Sequence, residues 1–386
     1  MQLFGTMTLA DIAGDLVVYR NLNAQDRRIP PLRLAWQDMD LPSRRIPRKH
    51  ELDYARAATW IIQRAQALND PHGRVEELLF LGDTALADGN AFRNIASIGG
   101  WRGWAFIGSG SEENKPGPLT YRHEADHVTV AGRWNALAQW IHDIMDQGAG
   151  LNGQTAVVID MDKTFIGARG RNSHVIDEAR LAGLRTTMHE LLGSHFNQDA
   201  FEEVYHELNQ PRYHPFTADN QDYLAYVCLI VSSGTISRAA LYECLHGEQG
   251  MTFAQFVRWT DMRLATTDQP VLADIHYSFY QLMASDDPTP FKTFRRREYL
   301  ATVSRMNNVA DEAPPSEHLA QEICITNEVV EVSRWLQQRG AVVVVLSDKP
   351  DEASLPEPGQ DQAGCLPLHH AVTHVVGESI AGDLPA

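Results

Sequence analysis

Two aspartates directly after an apolar run are the first residues of this chain whose type and spacing could do chemistry. The run at 155–159, TAVVI, leads into Asp160 and Asp162, and Thr164 follows two positions later. Such a run is typical of a buried strand, and open α/β sheets bind ligands beyond the carboxyl ends of their strands. Two carboxylates at such a place are costly without a cation. The residues alone are equally compatible with a strand end and an ordinary polar turn.

Other polar residues follow comparable patterns elsewhere in the chain. Ser347 follows the run AVVVVL, Asp83 follows ELLFLG, and Asp88 lies in the same turn as Asp83. Lys49 opens a helical pattern that runs to about Leu68. A cation at a helix N-terminus opposes the helix dipole, so Lys49 fits there best with an anionic partner. Taken singly, the serine and the aspartates are also explained as helix caps.

Together these residues resemble the motifs of the haloacid dehalogenase superfamily. The first motif is an apolar strand followed by Asp-x-Asp-x-Thr, here residues 160–164, with Lys163 where the family usually has glycine. The second motif is a Ser or Thr at the end of another strand that a helix precedes, here Ser347. The third and fourth, a lysine and an acidic Gly-Asp turn, normally come later, but the chain ends soon after Ser347 with nothing similar.

The missing motifs lie at the front of the chain. Lys49 matches the motif lysine, and LGDTALADG matches the acidic turn through Asp83 and Asp88. The C-terminal HAVTHVVGESI resembles the strand that normally precedes the motif lysine, and DHVTVAGRWNALAQWI resembles the closing strand and helix of the family. This rotated order predicts a circular permutation, which close termini make tolerable in a compact domain. A domain-swapped partner is the alternative.

The resemblance implies a Mg2+-dependent phosphatase that hydrolyses a phosphomonoester of a small metabolite through an aspartyl-phosphate. Asp160 would be the nucleophile, and Asp162 would be the general acid and base. Lys49, Ser347 and Thr164 would bind the substrate, the first two by neutralising and hydrogen-bonding the phosphoryl oxygens. The implied Mg2+ ligands are Asp160, Asp83, the backbone carbonyl of Asp162 and, directly or through another ligand, Asp88. A phosphotransferase or phosphomutase would use the same residues, and a non-catalytic binding protein of this fold is a third reading.

Alternating helical and strand patterns on both sides of a long helical stretch predict an α/β fold. With the resemblance, they predict a Rossmann-like three-layer sandwich with a mainly parallel sheet, together with a large α-helical cap. The core would comprise residues 1–172 and 325–386, and the cap residues 173–324. Residues 1–48 read as irregular.

The composition of the chain indicates which classes of binding partner to expect. The chain has 386 residues and a formal net charge of −17, which would repel nucleic acid and anionic membranes, so neither is expected as a partner. The four cysteines form no CxxC pair, and the N-terminus carries no export signal, so a reduced cytoplasmic setting is expected. No apolar run is long enough to span a bilayer. The identity of the metabolite and the oligomeric state stay open.

Overall fold

Runs rich in valine, isoleucine, leucine and phenylalanine form the central strands of this protein. Strands favour β-branched and aromatic residues. The computed structural model describes residues 1–386 apart from 114, 116–118, 125, 248–249, 267–268, 358, 360–364 and the side chain of residue 195. Its strands are β1 (Gln2–Met7), β2 (Val17–Val18), β3 (Glu77–Gly82), β4 (Arg102–Gly108), β5 (Tyr121–His123), β6 (Val128–Ala131), β7 (Thr155–Asp160), β8 (Ile325–Thr326), β9 (Val342–Leu346) and β10 (Thr373–Gly377).

The helices fall where the apolar residues recur at helical spacing. They are α1 (Ala10–Ala13), α2 (Leu32–Ala35), α3 (Leu52–Asn69), α4 (Ala87–Gly99), α5 (Ala136–Asp146), α6 (Ser173–Leu192), α7 (Gln198–Leu208), α8 (His214–Thr217), α9 (Gln221–Ser232), α10 (Arg238–His246), α11 (Phe253–Leu264), α12 (Pro270–Ala284), α13 (Lys292–Val303), α14 (Pro315–Gln321) and α15 (Asn327–Gln338). The first long helix therefore begins at Leu52, and Lys49 lies in the turn before it rather than at its opening.

A seven-stranded sheet positions the candidate residues. Its strand order is β2-β9-β7-β3-β4-β6-β5, and every neighbouring pair is parallel except β6 and β5. Strands β3, β7 and β9 are buried along their whole length, which explains their continuous apolar sequences. Ile61 and Ala65 of α3 belong to the same buried cluster as Phe80 of β3 and Val344 of β9. The α/β fold with a mostly parallel central sheet is confirmed.

The chain termini differ from the expectation. The C-terminal strand β10 does not enter the large sheet beside the motif strands, because it pairs with β1 and β8 in a separate three-stranded sheet. The strand that precedes Lys49 and lies beside β9 is β2, which has only two residues. The prediction that residues 1–48 are irregular is also wrong, since β1, β2, α1 and α2 lie there.

The chain divides into two compact units. One contains Met1–Ala179 and Thr302–Ala386, and the other contains Arg180–Ala301. The second unit lies inside the predicted helical interval 173–324 but is shorter at both ends, with its boundaries inside α6 and α13. The large sheet and the small sheet both belong to the first unit.

Aromatic packing and a buried ion-pair cluster hold the second unit together. Tyr226 stacks on Phe279 with the ring centroids 4.1 Å apart, which suits offset stacking in a core. Arg295 is buried, and its guanidinium donates to Asp222 and Glu298 at 2.6 Å each. Because all three charges are removed from water, losing one partner would leave an unpaired buried charge. The basic side chain of Arg295 is therefore part of the unit's interior.

Candidate active site

Three adjacent strands bring the predicted motif residues to one edge of the sheet. Asp160 is the last residue of β7, Asp83 follows β3, and Ser347 follows β9. Strand β7 pairs in parallel with β3 on one side and with β9 on the other. Because the carboxyl ends of parallel strands point the same way, residues far apart in sequence meet at this edge.

A buried carboxylate cluster lies at this edge, formed by Asp83, Asp88 and Asp160. One oxygen from each residue lies within 4.8 Å of the others, and all three residues are buried. The Lys49 Nζ donates to Asp160 Oδ1 at 2.7 Å and to Asp88 Oδ1 at 2.5 Å. Arg169 pairs with Asp83, so two basic side chains face three carboxylates, and the cluster has an excess of acidic groups that can attract a cation.

The three acids of the cluster differ in the direction of their pKa shifts. Burial raises the pKa of Asp160 well above its usual range, Lys49 opposes that shift, and the neighbouring carboxylates add to it. The pKa of Asp83 is raised for the same reasons, burial first. Burial works against ionisation of Asp88 too, but Lys49 and backbone N–H donors outweigh it and lower its pKa. Burial likewise disfavours charged Lys49, yet the adjoining carboxylates raise its pKa well above the ordinary value.

Asp88 also shapes the acidic turn. Its Oδ2 accepts from the backbone N–H groups of Asp83 at 2.9 Å and Thr84 at 2.8 Å, while Oδ1 accepts from Lys49. A Cβ at Gly82 would lie 2.6 Å from the Asp88 carboxylate, so only glycine permits this close approach. The glycine at position 82 is thus a packing requirement of this turn.

Asp162 faces the same edge with one of its oxygens without a protein partner. Its Oδ2 accepts from Lys349 Nζ at 3.2 Å, whereas its Oδ1 is buried and finds no hydrogen-bond partner among the described residues. Ser347 is also buried, and its Oγ accepts from the backbone N–H of Lys349 at 3.1 Å. Sequence reasoning missed Lys349, although its place two residues after Ser347 at the same strand end was a usable signal.

The loop after Asp160 is a tight turn that carries Thr164 and Lys163. The backbone N–H of Lys163 donates to the carbonyl of Ile166 at 2.8 Å, which closes the turn. The carbonyl of Thr164 accepts from the Thr326 hydroxyl at 2.7 Å. The Thr164 hydroxyl itself is buried, and within the described part of the chain it has no hydrogen-bond partner. It therefore makes no hydrogen bond to Asp160 in this arrangement.

Lys163 occupies a left-handed backbone conformation, with φ of 66°. This conformation costs a non-glycine residue roughly 1–2 kcal/mol, while the greater freedom of unfolded glycine offsets about 0.5–1 kcal/mol. We therefore expect Lys163→Gly to raise the free energy of unfolding by up to about 1 kcal/mol, measured by urea denaturation. Lys163→Ala is the control, because it also loses the contact to Asp177 but keeps the strain. A glycine variant less stable than the alanine variant would contradict this account.

The two arginines after the first motif have different surroundings. Arg169 reaches the acidic turn, where its Nε donates to Asp83 Oδ2. The side chain of Arg171 is 3% exposed and pairs with Glu113 at 3.0 Å and Glu328 at 2.9 Å. Arg169 therefore belongs to the candidate site, and Arg171 supports the first unit.

The donor set of the cluster fits a hard divalent cation. Asp83, Asp88 and Asp160 offer only carboxylate oxygens, which are the ligands that Mg2+ prefers. Both oxygens of Asp88 already accept hydrogen bonds from protein groups, whereas Asp160 and Asp83 each contact a flexible cationic side chain. The geometry thus favours Asp160 and Asp83 as direct ligands, with Asp88 holding the turn and Lys49 in place.

Comparison with protein-family models, with curated proteins and with solved structures finds no match for this chain. Its function is therefore argued from the arrangement of its own residues. Among the described residues, no helix is both long and apolar enough to cross a lipid bilayer.

Proposed function

We propose that this chain is a Mg2+-dependent phosphatase of the haloacid dehalogenase type, acting on a phosphomonoester of a small metabolite through an aspartyl-phosphate on Asp160. The observation that carries the proposal is the contact of Lys49 with both Asp160 and Asp88, at 2.7 and 2.5 Å. These residues come from distant parts of the sequence and match separate motifs. Their meeting at one sheet edge supports a functional site over a set of unrelated helix caps.

The strand order supports the rotated arrangement of the motifs. The strand that leads to Asp83 precedes the strand of Asp160 in the chain, and the strand that leads to Ser347 follows it, yet the three are neighbours in the sheet. The site therefore requires these strands to be neighbours in the sheet, whatever their order in the sequence. We propose a circular permutation of the family's core on this basis.

The proposed chemistry begins with in-line attack on phosphorus by Asp160. A bond forms between its carboxylate oxygen and phosphorus while the bond to the leaving oxygen breaks, and Asp162 donates a proton to that oxygen. In the second step, Asp162 takes a proton from water, which attacks phosphorus and releases phosphate and the Asp160 carboxylate. The Asp162 side chain is 21% exposed at this edge of the sheet, so its carboxylate is accessible for these transfers.

The cationic and hydroxyl groups around Asp160 suit the charge on a transferring phosphoryl group. Lys49 is already fixed beside the nucleophile, and the buried Ser347 hydroxyl accepts from Lys349, which leaves its own proton to donate. Bound Mg2+ would neutralise charge between phosphoryl oxygens and the Asp160 and Asp83 carboxylates. Positioning and charge neutralisation are the main requirements of phosphoryl transfer.

We also propose the finer architecture that the family implies, a layered core with a helical cap. Strand β4 gives Ala105 and Ile107 to the cluster that contains α3, and Phe106 to a contact with Trp140 of α5. Because successive strand residues point to opposite faces, these contacts support helices on both faces of the sheet. The helical unit Arg180–Ala301 is the candidate cap.

The test is phosphate release from an aryl phosphate and a panel of phosphorylated metabolites, with Mg2+ and with EDTA. We expect Mg2+-dependent release, and Asp162→Asn should lower it by about 10^2 to 10^4-fold, most for poor leaving groups, because proton donation is lost. The aspartyl-phosphate should then accumulate and be detectable by mass spectrometry after acid quenching.

The matched control is Asp348→Asn, which changes an exposed aspartate after the same strand as Ser347 and should leave the rate unchanged. Metal-independent release would count against the proposal, and transfer of phosphate to a second metabolite without release would identify a phosphotransferase. No turnover and no phosphoenzyme across the panel would favour a binding protein.

A further inference from the structure

A second cluster of ligand-type side chains lies in the first unit, outside the candidate active site. His318 on α14 and Glu322, which follows that helix, are four residues apart, and His374 comes from β10 of the small sheet. All three are at most 1% exposed. One ligand atom from each lies within 4.8 Å of the others, and the two imidazole centroids are 4.2 Å apart.

The two oxygens of Glu322 have different roles. Oε1 accepts from the backbone N–H of Asn307 at 2.6 Å and lies 2.8 Å from the Thr373 hydroxyl. Oε2 lies 2.8 Å from Nδ1 of His318, and Nδ1 of His374 lies 2.9 Å from both oxygens. Oε1 is thus held mainly by the protein frame, and Oε2 lies close to the Nδ1 atoms of both imidazoles.

Carboxylates face both ring nitrogens of His374. Its Nε2 lies 3.2 Å from Asp311 Oδ1, and its Nδ1 lies 2.9 Å from both oxygens of Glu322. Because an ionised carboxylate only accepts hydrogen bonds, the ring either carries a proton on each nitrogen or keeps a proton on Nε2 and binds a cation through Nδ1. A carboxylate on the outer nitrogen of a histidine is the usual support of a metal ligand.

His318 offers the third ligand atom. Its Nδ1 faces Glu322, and its Nε2 is buried without a hydrogen-bond partner among the described residues. A proton on Nδ1 gives a neutral ring that donates to Oε2, and the same Nδ1 can bind a cation when the proton is on Nε2. A single divalent ion would join both Nδ1 atoms and Oε2 at one place, and it would remove the need for a second proton on the buried His374 ring.

We infer that His318, Glu322 and His374 form a second metal site, of the zinc class, that joins α14 to β10. Two imidazoles and one carboxylate suit Zn2+ and similar transition metals, whereas the all-oxygen cluster around Asp160 suits Mg2+. The two sites therefore differ in metal preference because they differ in donor atoms. This inference does not depend on the proposed phosphatase activity.

The site lies where a metal would brace the loop that carries the first motif. Directly after Glu322, the carbonyl of Cys324 accepts from Gly167 N–H at 2.8 Å, and Thr326 bonds the carbonyl of Thr164. Strand β8 of this segment pairs with β10. A metal that holds Glu322 against His374 would thus fix the segment on which the 161–167 turn rests, which is a structural role.

The test uses protein stripped with EDTA, desalted and titrated with either Zn2+ or Co2+ in the presence of excess Mg2+. We expect one tightly bound equivalent, a higher melting temperature and a visible Co2+ absorption band. His318→Gln with His374→Gln should weaken Zn2+ binding by at least about 100-fold, and Asp311→Asn by about 10 to 100-fold. Asp311 is 82% exposed, so this variant carries the test if the double variant does not fold.

Two controls separate this site from the other ligand clusters. His370→Gln removes a ligand-type side chain from the cluster with Asp15 and His369, and Asp83→Asn removes one from the acidic cluster. Both variants should keep the tight Zn2+ equivalent. The inference is overturned if the wild type binds no stoichiometric Zn2+, if either control abolishes binding, or if Asp311→Asn and the double variant both bind as the wild type does.

Discussion

Asp160→Asn is expected to lower the rate of Mg2+-dependent phosphate release by about 10^4-fold or more while raising the melting temperature of the metal-free protein. The rate falls because an amide cannot form the aspartyl-phosphate. The melting temperature rises because burial and the neighbouring carboxylates raise the pKa of Asp160. For an acid whose pKa is higher folded than unfolded, stability is lost as the pH rises above the unfolded value, and asparagine carries no such cost.

Opposite changes in activity and stability are what distinguish a nucleophile from a residue that only supports the fold. Rates and melting temperatures should be measured with Asp143→Asn as the control, since Asp143 lies on α5 and contacts Tyr121. The control should keep the wild-type rate. An Asp160→Asn variant that keeps its rate would exclude the aspartyl-phosphate, and a lowered melting temperature would contradict the electrostatic account.

The sequence was sufficient for the parts of the fold in which local pattern and burial agree. The apolar runs before Asp160, Asp83 and Ser347 are fully buried strands, and a run buried on both faces indicates a parallel sheet. Strand β2 could not be found in this way, because two valines carry no periodicity. Strand β10 was recognised as a strand but given the wrong neighbours, since an apolar run does not specify its partner.

Sequence patterns also do not specify which side chains contact each other in the folded protein. Asp160, Asp83 and Asp88 were identified because each lies in a recognisable motif at or soon after the end of a strand, and the structure brings them together with Lys49. Lys349 belongs to no motif: its place after Ser347 indicates the same edge of the sheet, but the contact with Asp162 is visible only in the folded turn. His374 is far from His318 and Glu322 in sequence, so no spacing rule joins them. Contacts made through tertiary structure alone are the part that sequence patterns leave out.

Lys49→Met is expected to lower the free energy of unfolding of the metal-free protein by about 3–5 kcal/mol, because it leaves the buried carboxylates of Asp160 and Asp88 without their cation. Mg2+ should restore much of this stability, since an ion that binds only the folded state stabilises it by mass action. Urea denaturation with and without Mg2+ measures both effects.

The matched variant is Lys349→Met, which changes another lysine at the same sheet edge. Its partner Asp162 is partly exposed, with 21% of the side chain accessible, so water can compensate for the lost contact. We expect a loss of about 1–2 kcal/mol, with little recovery on adding Mg2+. Equal losses in the two variants, or a Lys49→Met protein that Mg2+ does not stabilise, would show that the carboxylate cluster is not the cation site. A larger loss of unfolding free energy in Lys49→Met, which Mg2+ reverses, would instead show that the negative charge of the carboxylate cluster limits stability at this edge. The same negative charge must be neutralised when a phosphoryl group binds there.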